Sequence, residues 1–259
     1  MPLTYSSYLR LSELLELQTP ASDPPEHDET LFIVVHQVYE LWFKQILHEL
    51  DRMQTLLEQD DVARARHTIK RVLTILKVLV AQLDILETMT PLEFLTFRDR
   101  LESGSGFQSF QFRALEFALG QKRRSAVNHY AAGSAERQWL ESRFERAAIW
   151  DAFLHYLARH GQAVPRSQLE RDVTQPVEPD AELQRVLIDI YRNNAELREM
   201  CERLVDLDEG IQEWRYRHVK MVERTIGMKR GTGGSSGAEY LRTTLRPAFP
   251  DLWEIRTEL

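Results

Sequence analysis

An all-α fold follows from three features of the 259-residue sequence. Apolar residues recur with a 3.6-residue period and do not alternate as in strands, only 11 glycines and 10 prolines interrupt them, and helix-starting residues open the periodic runs. The chain reads as one helical domain over residues 26–259, preceded by an arm with a short helix over residues 1–25.

Asp23-Pro24-Pro25-Glu26 offers an N-cap, a proline at the first helical position and a Glu at the third, opening a helix predicted to run to about Glu58. Its segment LFIVVHQVYELWF, residues 31–43, is apolar nearly all round, so it belongs at the centre of a bundle or between subunits. A second long helix is predicted from about Val62 to Thr88. It ends at Met89, because Thr90-Pro91-Leu92-Glu93 is a capping box that starts a short helix to about Glu102. The Ser103-Gly104-Ser105-Gly106 turn stops that helix. Further helices are predicted at about 107–119, 135–159, 180–206 and 209–226, with a break from Gly161 to Pro179 that holds Pro165, Pro176 and Pro179. Five of the 11 glycines crowd into residues 227–237. That loop is either a mobile lid or a place where backbone approaches a ligand closely.

Composition narrows the function. With 33 Lys+Arg against 40 Asp+Glu the formal charge is −7, and no dense basic block offers phosphates or anionic lipid a footprint. Neither a nucleic-acid nor a membrane partner is expected. Apolar stretches such as LFIVV at 31–35 fall far below the roughly 20 residues of a membrane span. The amino terminus lacks the pattern of a secretory signal, which makes a cytoplasmic location the expectation. Cys201 is the only cysteine, excluding an intramolecular disulfide, a multi-cysteine metal site and covalent haem attachment through C-x-x-C-H.

Several residues could carry chemistry. His36 stands within the apolar helix and His218 beside a stripe of Ile211, Trp214, Met221 and Val222; each reads as a packed core histidine or as a functional imidazole. No Glu-x-x-His pair, H-E-x-x-H motif or P-loop is present. Arg98 shares one side of the short capped helix with Phe94, Phe97 and Leu101, where a guanidinium is costly unless paired. Its partner is either a protein carboxylate such as Glu102 or the carboxylate of a ligand. Tyr5, Tyr8 and Leu9 form a surface-docked terminus or an arm that reaches a neighbouring subunit.

Five ordered blocks then resemble the tryptophan 2,3-dioxygenase family. They are YSSYLRL at 5–11, HDETLFIVVHQVYELWFKQILHEL at 27–50, ETMTPLEFLTFRDRLESGSGFQSFQFRALE at 87–116, WRYRHVKMVERTIGMKRGTGGSSGAEYL at 214–241 and FPDLWEIRT at 249–257. Residues 120–208 match more in architecture than in motif. The resemblance implies a helical bundle enclosing one haem b per subunit, a homotetramer, and insertion of O2 across the indole C2–C3 bond of L-tryptophan to give N-formyl-L-kynurenine. By the same resemblance His218 is the iron ligand, and Ser105, Gly106 and Gly231 lie against the haem. His36 is the catalytic distal histidine, placed to accept a hydrogen bond from the indole N–H. Arg98 pairs the substrate carboxylate, and Thr232 helps hold the amino-acid end. Phe32, Phe94 and Leu101 wall the ring, while Tyr5, Tyr8 and Leu9 close the pocket from a neighbouring subunit. Ser6-Ser7 stands where the family commonly has a glycine after the first tyrosine. Two other readings share part of this pattern: a superfamily monooxygenase forming an oxindole from tryptophan or a β-substituted tryptophan, and a haem-binding helical protein without turnover.

Overall fold

The computed structural model describes residues 2–231 and 236–259, and among them every regular element is helical. In chain order the α-helices are α1 (Tyr5–Leu9), α2 (Leu11–Leu14), α3 (His27–Glu58), α4 (Val62–Leu86), α5 (Pro91–Phe97), α6 (Phe110–Ala118) and α7 (Arg124–Asn128). There follow α8 (Ala135–Phe144), α9 (Ile149–Arg159), α10 (Arg166–Leu169), α11 (Ala181–Asn193), α12 (Ala195–Ile226), α13 (Ala238–Arg242) and α14 (Pro250–Glu254). None of the described helices is long and apolar enough to cross a membrane.

α3 packs on α4, α6 and α9, and α4 on α12, so the two 32-residue helices α3 and α12 flank the middle of the bundle. The α3 residues Val35, Tyr39, Phe43, Ile46, Leu50, Met53 and Leu57 recur every three or four positions and are buried, as the 3.6-residue period requires. Two polar bonds fix the level of α3 against α4: Tyr39 donates its hydroxyl to the Leu79 carbonyl at 2.8 Å, and the Gln82 amide donates to the Val35 carbonyl at 3.0 Å. The segment expected to be buried all round is not, within one chain. Val34 is 39% exposed and Leu41 53%, with Val78, Ile85, Leu92 and Leu95 also exposed on α4 and α5.

Several boundaries differ from expectation, each for a local reason. α3 starts at His27, not Pro24, because the Asp23 cap is not made. Buried Glu29 instead reaches back to accept from the backbone N–H groups of Ala21 (2.7 Å) and Ser22 (3.0 Å), while the Ser22 hydroxyl oxygen accepts from the Glu26 N–H. The Thr90 capping box forms as predicted, but α5 gives way to a 3₁₀ turn over Arg98–Leu101. The predicted 135–159 helix is two, since buried Lys122 inserts its ammonium at the break and donates to the carbonyls of Arg143, Phe144 and Arg146 at 3.2, 2.8 and 2.7 Å. A cation there takes the carbonyls that a continuing helix would have used. Conversely, α12 runs unbroken through 207–209. Its N-cap is Asn194, and Gly210 lets α4 close in, for a Cβ there would meet Leu76 Cδ1 at 3.0 Å.

The carboxyl terminus is tied to α12 by one buried carboxylate. Asp208 accepts from the N–H groups of Ala248 and Phe249 at 2.8 and 3.1 Å and from the Trp253 indole at 2.9 Å. Replacing it strands three donors in the core. Asp208→Ala is expected to lower the unfolding free energy by about 3–5 kcal/mol in urea titration, and Asp208→Asn by less, because one acceptor oxygen survives.

Candidate functional site

A cavity opens between α3, α5, the 105–113 segment and α12. Of the residues singled out from sequence, Phe32, His36, Phe94, Arg98, Ser105, Gly106, His218 and Gly231 line it. Leu101 does not; the 3₁₀ turn carries it half-buried onto the core. Tyr5, Tyr8 and Leu9 do not reach it either, lying on α1 with exposures of 76%, 70% and 40%. Thr232 lies outside the described residues.

The imidazoles come from two long helices. His36 approaches the Phe32 carbonyl with Nδ1 at 2.7 Å, and since a carbonyl only accepts, Nδ1 carries the proton and Nε2 keeps a lone pair. Burial holds its pKa below the ordinary histidine value, so the ring is neutral. His218 is lowered to about 4, first by burial and then by its electrostatic coupling to His36 and to the Arg113 cation. It makes no hydrogen bond with any described residue, and its ring lies flat against Trp214, centroids 5.2 Å apart and planes at 4°. A neutral imidazole with free nitrogens is a ready ligand.

The apolar wall is aromatic. Phe32 stands 5.8 Å from Phe94 and 5.5 Å from Phe97, and Phe94 meets Phe97 edge to face at 5.5 Å. Beside it Arg98 donates one guanidinium N–H to the Arg230 carbonyl at 2.7 Å, while its buried Nε has no partner among the described residues. Glu102 is not its partner; among the described residues Arg98 pairs with no carboxylate. Arg230 opens the glycine-rich loop, whose base is pinched at Gly237. That residue sits at φ +62°, and a Cβ on it would fall 2.7 Å from the Lys229 carbonyl oxygen. Gly106 differs, since a Cβ there would meet nothing within 4 Å. Protein packing does not call for that glycine, whereas a ligand filling the space would.

Sequence reasoning missed the charged floor of the cavity. The buried Glu116 carboxylate receives three guanidinium groups: Arg113 at 2.7 Å, Arg123 at 2.8 Å and Arg215 at 2.8 Å. Three cations on one anion leave an excess of two positive charges, with Nε of both Arg113 and Arg215 buried and unpartnered among the described residues. Arg123 also donates to the Tyr240 hydroxyl at 2.8 Å, and Arg215 to the Thr244 carbonyl and, at 2.8 Å, to Gln121. Arg113 and Arg215 are buried and Arg123 is half-buried, so water screens this excess only in part and the floor suits a ligand with anionic groups. The signal was present in FQFRALEFA, where Arg113 and Glu116 interrupt an apolar helix as Arg98 interrupts another. Glu40, which holds Gln111 at 2.8 Å, adds one carboxylate to the rim.

Comparison with known proteins bears on this arrangement. The family described as "Tryptophan 2,3-dioxygenase" matches residues 1–141 and 167–259. A Herpetosiphon aurantiacus protein named tryptophan 2,3-dioxygenase is 61% identical over 257 residues, covering 99% of this chain and 98% of its own. Proteins of the same name from Anaeromyxobacter sp. and Arthrobacter sp. are 55% and 46% identical, each covering 99% of this chain and respectively 96% and 92% of their own.

The lowered imidazole pKa has a measurable consequence. Between the ordinary value of 6.5 and about 4, the unfolded chain binds a proton at His218 that the folded chain refuses, so stability falls as pH falls through that window. The loss for the ligand-free protein is expected to reach at most about 3 kcal/mol, because the ring faces the cavity. Urea titrations from pH 7 to 4 on the wild type and on His218→Phe read it as a difference in slope.

Proposed function

Because the chain belongs to the tryptophan 2,3-dioxygenase family, we propose that it is a haem-dependent enzyme that cleaves the indole ring of L-tryptophan. The observation that carries this reading is Arg98. It stands on the same cavity as His36 and His218 with no carboxylate partner among the described residues, which suits an enzyme gripping an amino acid and has no use in a protein that only carries haem.

The residues fit haem b. The excess of two positive charges around Glu116 matches its two propionates, and His218, neutral and unbonded, offers the iron a nitrogen. Bound there, the ferrous group supplies activation of O2. The chain's own part is orientation. Arg98 takes the α-carboxylate through a forked, charge-assisted pair, exchanging its bond to the Arg230 carbonyl for a stronger one. His36 Nε2, made an acceptor by the Nδ1 bond to Phe32, receives the indole N–H, and Phe32 and Phe94 wall the ring. With the bound group and the apolar wall excluding water, the C2–C3 bond is held where oxygen is delivered. Both oxygen atoms enter the product, one at each carbon of the broken bond, so the balance needs only tryptophan and O2.

The exposed apolar residues Val34, Leu41, Val78 and Ile85, with the exposed α1, support assembly into a homotetramer in which Tyr5, Tyr8 and Leu9 cover a neighbour's pocket. Each chain then holds one haem.

Reduced, haem-loaded protein given L-tryptophan and ¹⁸O₂ is expected to yield N-formylkynurenine carrying two labelled atoms by mass spectrometry. One labelled atom in an oxindole would replace ring cleavage with mono-oxygenation. His218→Ala is expected to lose haem. Arg98→Ala should retain haem and weaken tryptophan binding by about 2–5 kcal/mol, read from the Soret titration; normal binding in that variant would remove the substrate assignment.

A further inference from the structure

Three histidines follow an aromatic residue by four positions in a helix, and they are not held alike. His36 and the C-cap residue His160 each direct Nδ1 to the carbonyl of that aromatic residue, Phe32 at 2.7 Å and Tyr156 at 2.9 Å. Their rings tilt against the aromatic neighbour by 37° and 36°, with centroids 4.1 Å apart in both pairs. His218 has Trp214 at the same spacing and does neither. Its ring stands off to 5.2 Å, lies parallel to the indole at 4°, and makes no hydrogen bond among the described residues.

We propose that Trp214 is the positioning residue of His218: the indole face sets the plane of the imidazole while neither ring nitrogen is committed to a described residue, which leaves one for the haem iron. The inference rests on the haem reading above. A histidine bonded to its own helix, as His36 is, has one nitrogen committed and its ring turned toward the helix. Ligand histidines commonly gain orientation from a carboxylate or carbonyl acceptor, which also makes the ring more basic. Stacking orients without that electronic push, and so keeps the ring a neutral ligand. Trp214 can serve because it is itself immobile, buried and met by Tyr39, Phe43 and Phe112 at centroid distances of 6.0, 5.9 and 5.0 Å.

Two variants of the haem-loaded protein test this, read by the iron–histidine stretching band of the ferrous state in resonance Raman spectra and by the rate of haem transfer to an acceptor globin. Trp214→Met keeps an apolar, though smaller, side chain and removes the flat face; it is expected to broaden or shift the band and to speed haem loss on the order of tenfold. Trp214→Phe keeps a face without the indole N–H and is expected to behave as wild type in both. An unchanged band in Trp214→Met, or a Trp214→Phe band as broad as that of Trp214→Met, overturns the positioning role. Should Trp214→Met fail to fold, Trp214→Leu takes its place, with the same broadened or shifted band expected and an unchanged band overturning the role. Failure of the underlying reading looks different: His218→Ala would then hold haem with the wild-type band.

Discussion

The Glu116 carboxylate is the interaction on which the site depends. It receives guanidinium groups from α6, from the segment before α7 and from α12, and two of those arginines reach on to Tyr240 and Thr244 beyond the glycine-rich loop. One buried anion thus joins both sides of the cavity and the chain that follows the glycine-rich loop. It also under-compensates the charge it gathers. Three charge-assisted bonds assemble the floor, and its positive excess suits an anionic ligand.

Above that floor the chemistry is set by burial. Both imidazoles are kept neutral chiefly because burial in the apolar cavity disfavours a second proton, and at His218 the Arg113 cation adds to it. The helix backbone then separates their roles: His36 spends Nδ1 on the Phe32 carbonyl and presents an acceptor, whereas His218 spends neither nitrogen. Arg98 is the counterweight, a fixed cation beside a neutral and aromatic wall. In the proposed complex the two ends of an amino acid with an indole side chain would meet different physics, charge at one and shape with a single hydrogen bond at the other.

Much of the fold could be read locally. The 3.6-residue period placed α3 and α4, and the Thr90 capping box started α5 where it was expected, because caps and amphipathic faces are short-range properties. Errors fell where a distant side chain intervened. Lys122 divides 135–159 from outside the segment, Glu29 resets the start of α3, and Gly210 serves the approach of Leu76 from another helix. The site followed the same division. His36, Arg98 and His218 were legible as polar residues on apolar faces, but each was equally a core residue until the tertiary structure set them around one cavity.

By itself the sequence determined the helical class, the capped start of α5 and, through five matching blocks, the family. These rest on periodicity and on residues adjacent in the chain. Only the tertiary structure decided that three arginines share one carboxylate, that Arg98 has no carboxylate partner among the described residues, and that Leu101 turns away from the cavity. The physical reason is that charge balance, burial and ring orientation are properties of neighbours in space. Arg113 and Arg215 are about a hundred residues apart and come together only because both reach the Glu116 carboxylate in the folded chain.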